Sequence, residues 1–68
     1  MEDGEKCICS EHELYNAFGD KSEMLYRGQR LTVTGSRYIA GTRFYRFKET
    51  DRDNWFQAEA FTPIRKLH

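Results

Sequence analysis

The sequence predicts a single domain of the all-β class. Polar and apolar residues alternate in several short runs, Gly or clusters of polar residues separate these runs, and the runs are rich in aromatic and β-branched side chains. A chain of 68 residues builds one hydrophobic core, so we assign residues 1–68 to one domain. Because aromatic residues make up 15% of the chain, we expect them to supply much of that core.

The first strand is predicted at residues 6–10, where Cys7 and Cys9 share one face. A long connection follows, up to Gly28. Its residues 11–18 have a capping-box spacing at their start and apolar residues on one helical face, which is typical of a two-turn helix. An isolated helix of this length is marginal, so the connection holds either this helix or an irregular loop.

The later strands are predicted at residues 30–34, 42–48 and 55–58, with turn residues at 35–41 and a polar turn at residues 50–54. Alternation directs one set of their side chains inward: Leu31, Val33, Tyr45, Phe47, Phe56 and Ala58. A 3₁₀ turn fits residues 58–61, and a brief last strand fits residues 62–65. Pro63 requires that this strand lie at a sheet edge, because proline donates no hydrogen bond.

Five short strands with a long first connection and a 3₁₀ turn before the last strand resemble the Src-homology-3-like small β-barrel. The resemblance covers approximately residues 6–65 and rests on Gly28-Gln-Arg-Leu-Thr-Val33 and on Trp55-Phe56 with Phe61-Thr-Pro63-Ile64. More narrowly, the chain is similar to short barrels of phage and mobile elements, in which an apolar first strand ends in Cys, as at Cys9, and an aromatic residue such as Phe61 precedes the last Pro. Gln57 stands where peptide-binding Src-homology-3 domains have proline, so this resemblance does not imply a proline-rich ligand.

The formal charges are divided along the chain, although the net charge is zero. Residues 1–23 contain seven acidic and two basic residues, whereas residues 24–68 contain nine basic and four acidic ones. Two interpretations are open: the acidic segment packs across the basic part and neutralises it, or the basic part faces an anionic partner.

The candidates for catalysis and metal binding are weak. Cys7, Cys9, His12 and the terminal His68 contain zinc-ligating atoms, but one Cys-x-Cys pair on a strand does not complete a tetrahedral site. Paired carboxylates occur at Glu11 and Glu13 and at Asp51 and Asp53, but each pair lies in a charge-rich stretch that solvated turns explain better than catalysis does. No phosphate loop and no nucleophile beside a histidine is evident. We therefore expect no enzyme activity, no metal and no cofactor.

The outward face of the predicted strands carries the candidate binding residues. They are two aromatic and three basic side chains: Phe44, Arg46, Trp55, Arg30 and Lys48. Arg and Trp dominate binding hot spots, and aromatic platforms with Arg also stack unpaired bases. Alternatively, Phe44 and Trp55 pack under loops or under the acidic segment.

These features predict a non-enzymatic binding module with a protein partner, and the alternative is a nucleic-acid partner bound by the same face. No apolar stretch approaches the roughly 18 residues of a membrane helix, and the first residues do not resemble a signal peptide. The sequence therefore predicts a cytoplasmic protein without a membrane partner, and it assigns no oligomeric state.

Overall fold

The structure is a computed structural model that describes residues 3–19 and 23–64. Its strands are β1 (Lys6–Cys9), β2 (Glu13–Leu14), β3 (Leu25–Tyr26), β4 (Arg30–Ile39), β5 (Thr42–Phe47), β6 (Phe56–Gln57) and β7 (Phe61–Pro63), with a 3₁₀ turn at Ala58–Ala60. The prediction of a mostly β domain is therefore confirmed, as is the 3₁₀ turn before the last strand.

Five strands form one antiparallel sheet in the order β6-β5-β4-β1-β7, and β2 pairs with β3 separately. Strand β4 is shared by the two halves of this sheet. Its first residues pair with β1, as in Leu31 opposite Cys7, and its later residues pair with β5, as in Val33 opposite Phe47. Pro63 lies in the edge strand β7, as predicted, where its missing N–H costs no ladder bond.

A β-bulge interrupts the pairing of β4 with β5. Val33 is opposite Phe47, but Gly35 is opposite Arg46, so Thr34 is an extra residue on β4. Beyond the bulge the two strands continue to a two-residue turn at Ala40 and Gly41, with φ of 52° and 83°. Positive φ at both positions is typical of the type I′ turn, whose twist matches that of the strands it joins.

The core lies on one face of the five-stranded sheet and is closed by the β2–β3 pair. Phe47 is 1% exposed and its ring centroid is 4.6 Å from that of Phe61 and 6.0 Å from that of Phe56. The predicted inward residues are buried, except that Ala58 is half-buried against the core. The core also contains residues from outside the predicted strands, among them Leu14 and Leu25.

The structure differs from the predicted architecture in the first connection. Residues 11–18 contain no helix, and Glu13–Leu14 is instead a short strand. Ser10 begins the capping-box spacing, but its hydroxyl lies 2.9 Å from that of Thr62. The Asn16 side chain accepts a hydrogen bond from the backbone N–H of Phe18. Side chains that bond backbone in this way compete with helix formation.

The strand count also differs from the predicted five, because β2 and β3 form a second, two-stranded sheet. Strand β4 is longer than predicted, since it continues through residues 35–39, where the sequence predicted a turn. The strands of the described part of the chain do not close into a barrel: β6 and β7 remain the two edges of the larger sheet. Residue 65, assigned to the last strand from sequence, lies outside the described residues.

Candidate functional site

Two arginine side chains lie on the ring of Trp55. The guanidinium carbon of Arg37 is 5.2 Å from the centroid of the Trp55 ring, and that of Arg46 is 5.4 Å from it. Both distances are in the range of cation–π attraction. Arg37 is exposed, while Arg46 and Trp55 are half-buried, so this cluster is accessible from solvent. We call these three residues the arginine–tryptophan cluster.

The backbone of Gly35 and the carbonyl of Thr34 hold the Arg46 guanidinium in place. A Cβ atom added at Gly35 would lie 3.1 Å from Nη2 and 3.3 Å from Cζ of Arg46. The same Nη2 donates a hydrogen bond of 3.4 Å to the carbonyl oxygen of Thr34. The absence of a side chain at Gly35 therefore leaves the space in which this guanidinium lies flat against β4.

The β-bulge explains why Arg37 belongs to this cluster, which the sequence prediction did not include. Uninterrupted alternation from Val33 would have turned Arg37 toward the core face. The extra residue Thr34 reverses the alternation, so that Arg37 is opposite Phe44 and shares its outward face. Gly35, which lies inside the predicted turn, was the local signal of this bulge in the sequence, because isolated glycines often mark bulges.

Phe44 does not belong to an exposed surface, which corrects one part of the predicted binding face. It points away from the main core, as predicted, but it is only 8% exposed. Residues 13–17 of the first connection line a common pocket with it. The backbone N–H of Ala17 donates to the carbonyl of Trp55 at 2.7 Å, and this bond keeps the connection over the sheet. Phe44 is therefore buried beside the first connection, whereas Trp55 is half-buried.

A chain of polar contacts holds the first connection in that position. The side-chain amide of the buried Asn16 donates to Oδ1 of Asn54 at 3.0 Å. The amide of Asn54 in turn donates to the carboxylate of Glu23, which also accepts the backbone N–H of Asp51 at 2.8 Å. The first connection is thus fixed to the turn that precedes β6.

Arg30 and Lys48 lie outside the arginine–tryptophan cluster, although both were predicted to belong to the binding face. Arg30 is opposite Ile8 of β1 and lines a different cleft, together with Glu49 and Thr32. Lys48 follows the end of β5, where its backbone N–H donates to the carbonyl of Thr32. The structure therefore brings together Arg46 and Trp55 of the five predicted residues, adds Arg37, and leaves the other three outside.

The acidic side chains near this sheet bind neutral groups. Glu49 accepts hydrogen bonds from the backbone N–H and the hydroxyl of Thr32, at 2.7 and 2.9 Å. Burial raises the pKa of Glu49, but these bonds outweigh that effect and the pKa is lowered overall. Glu23 binds the amide and N–H donors named above. Within residues 3–19 and 23–64, neither Arg37 nor Arg46 contacts a carboxylate.

The two cysteines are free thiols in the core, and both are 0% exposed. They share the core face of β1, as predicted. Burial raises the pKa of Cys7 from 9.0 to about 11, and burial likewise raises that of Cys9. Since the thiolate is the nucleophile and the metal ligand, both thiols are held in their unreactive form.

Two further observations concern ligands and membranes. In the described part of the chain, no three His, Cys, Asp or Glu residues are grouped so that they could hold a metal ion. The terminal His68, considered above as a ligand, lies outside the described residues. Of the segments that the structure describes, none is a helix long and apolar enough to cross a membrane.

Comparison of the chain with models of protein families, with curated proteins and with solved structures finds no match.

Proposed function

We propose that this chain is a non-enzymatic binding module that recognises an acidic segment of a protein partner through the arginine–tryptophan cluster. The single observation that carries the proposal is the pair of guanidiniums on one indole ring, without a carboxylate of the described chain on either. Two cations held close together repel each other, so an added anion stabilises both. Arg and Trp are also the residues that most often dominate protein interfaces.

The environment of the possible nucleophiles supports a binding role over catalysis. Both thiols are buried and have raised pKa values. A nucleophile for catalysis needs the opposite, a lowered pKa and access to substrate. The arginine–tryptophan cluster supplies two cations, which bind anions, and an aromatic ring on which those cations lie.

We also propose that the fold belongs with the Src-homology-3-like small barrels. The strand order supports this, because β1 lies between β4 and the last strand β7. A 3₁₀ turn also connects β6, at one edge of the sheet, to β7 at the other edge. The division of β4 between two sheet halves at its bulge agrees with a strand that turns a barrel corner. The similarity to phage and mobile-element barrels, and the cytoplasmic location, stay predictions.

Nucleic acid is the second candidate partner, and the charge pattern of the sequence favours it. Residues 24–48 contain six Arg and Lys residues and no Asp or Glu. The β4–β5 hairpin lies in this stretch. The guanidinium carbon of Arg43 on β5 is 5.3 Å from the centroid of the Tyr45 ring. A basic ribbon with aromatic side chains can follow a phosphate backbone.

Fluorescence titration distinguishes the two candidates, because Trp55 is the single tryptophan of the chain and lies in the proposed site. We expect a hexaglutamate peptide to change its emission more strongly than single-stranded oligothymidylate does at equal charge. Affinity for the oligonucleotide would instead fall steeply with salt, with a log–log slope of about −0.7 per phosphate neutralised. Tighter and strongly salt-dependent binding of the oligonucleotide would overturn the protein partner in favour of nucleic acid.

A further inference from the structure

We infer that Arg37 and Arg46 together bind one carboxylate group of the acidic partner, and that Gly35 is the positioning residue that places Arg46 for this contact. This inference rests on the proposed function, and it names the groups that make the contact. It assigns a specific oxyanion site in place of a general attraction between a basic face and an acidic segment.

The two guanidiniums are close enough to act on one group. Gly35 is opposite Arg46 and Arg37 is opposite Phe44, so Arg37 and Arg46 are diagonal neighbours on the outward face of the β4–β5 pair. Diagonal neighbours are about 7–8 Å apart, which long side chains can span, and both guanidiniums reach the same Trp55 ring. The stack on the indole limits the rotation of both side chains, so less conformational entropy is lost on binding. A planar guanidinium offers a fork of donors that matches a carboxylate, with two parallel hydrogen bonds.

The donors of these guanidiniums are largely unused within the described chain. Among the described residues, Arg37 contacts the Trp55 ring, and Arg46 contacts the same ring and donates one long hydrogen bond to Thr34. Each guanidinium has five N–H donors. The remaining donors are therefore available to an incoming oxyanion at a surface where Arg37 is exposed.

Gly35 controls this arrangement through space and leaves the charge unchanged. Its backbone is outside the left-handed region, so alanine is compatible with its conformation. The added methyl group would meet the end of the Arg46 side chain at 3.1 Å, and a flexible side chain responds by moving. Gly35→Ala should therefore displace the Arg46 guanidinium by a few tenths of an ångström while the domain stays folded.

A carboxylate is favoured over the phosphates of a nucleic acid by the charge of the whole chain. The net charge is zero, and Asp3, Glu5, Glu11 and Glu13 are exposed. A long polyanion would be repelled by these groups, whereas a short acidic segment can reach one basic site. Phosphate oxygens accept hydrogen bonds from guanidinium groups as carboxylate oxygens do, so inorganic phosphate is tested as a separate ligand.

The test is titration of the full chain with hexaglutamate, with inorganic phosphate and with oligothymidylate, each followed by Trp55 fluorescence. Arg37→Lys and Arg46→Lys keep the charge but remove the fork, and we expect each to weaken hexaglutamate binding about tenfold. Gly35→Ala should weaken it by a smaller factor and should also change the emission spectrum of the free protein, because Arg46 shifts relative to the Trp55 ring. Arg30→Lys is the matched control and should bind as the unchanged chain does.

The outcomes separate this inference from the proposed function. If the unchanged chain binds hexaglutamate and all three variants bind equally well, the proposed function stands and the assigned site is wrong. Equal losses in the Arg30→Lys control would also overturn the site, because they would show that an arginine outside the arginine–tryptophan cluster contributes as much to binding. If hexaglutamate does not bind, or if oligothymidylate or phosphate alone binds more tightly, both the proposed function and this inference fail. A normal spectrum and normal affinity for Gly35→Ala would overturn its positioning role.

Discussion

Replacing Phe47 by alanine should remove most of the stability of this domain. The side chain is 1% exposed and its ring contacts those of Tyr45, Phe56 and Phe61, with centroids 6.4, 6.0 and 4.6 Å away. Truncation of a buried Phe costs about 3–5 kcal/mol, because both the transfer of the ring and the contacts around the cavity are lost. At the usual stability per residue, a domain of this length has about 3–10 kcal/mol in total.

Urea denaturation followed by circular dichroism and by Trp55 fluorescence measures this loss. With an m value of about 1 kcal/mol per molar for a small domain, the midpoint should fall by about 3 M or more, or the variant should already be unfolded in water. Phe18→Ala is a matched control, since it makes the same chemical change at a side chain that is 80% exposed. We expect it to change the stability by less than about 0.5 kcal/mol.

Equal midpoints for these two variants would refute the assignment of Phe47 to the centre of the core. A small loss in Phe47→Ala together with unfolding of the double variant Trp55→Ala and Arg46→Ala would mean that the inward and outward faces of β5 are reversed. The proposed site would then fail with it, because Arg46 is adjacent to Phe47 and lies on the opposite face.

Three other predictions follow from the same packing. The double variant Trp55→Ala and Arg46→Ala should stay folded, since both side chains are half-buried and outside the core cluster; a loss of cooperative melting would contradict this. Ala40→Gly should stabilise the hairpin by about 1 kcal/mol, because glycine adopts positive φ without the penalty of a Cβ. Gly41→Ala should destabilise it, and the urea midpoints of the two variants measure both changes in stability. Raising the pH from 9 through 11 should reduce stability, because the folded state holds the Cys7 proton more tightly than the unfolded chain does; Cys7→Ala should show a smaller decline in the same titration.

The core face of the strands could be predicted from the sequence because each strand obeys one simple alternation. Leu31 and Val33 lie in the part of β4 before the bulge, and Tyr45 and Phe47 lie on one strand, so each pair shares a face whatever the rest of the chain does. The capping-box spacing after Ser10 predicted a helix incorrectly, since this spacing does not show which residues are drawn into long-range contacts. The covering of Phe44 was left open for the same reason.

The composition of the candidate site depended on information that alternation does not contain. Arg46 and Trp55 were identified because each precedes a core residue, Phe47 or Phe56, and alternation places adjacent residues on opposite faces. Arg37 was missed because residues 35–41 were predicted as a turn, whereas β4 continues through them and its bulge at Thr34 sets which face Arg37 takes. Arg30, on the same strand before the bulge, was included although its neighbours are in β1.

The sequence by itself determined that this chain is mostly β, that its cysteines and alternating aromatics face the core, and that Pro63 ends the sheet at an edge. These properties follow from local chemistry: side-chain polarity, strand periodicity and the missing N–H of proline. Only the tertiary structure decided where β4 changes partner, that the first connection covers Phe44, and that Arg37 and Arg46 meet on Trp55. Such features depend on the register between strands that are distant in sequence, and one bulged residue changes that register without altering the local pattern on either side.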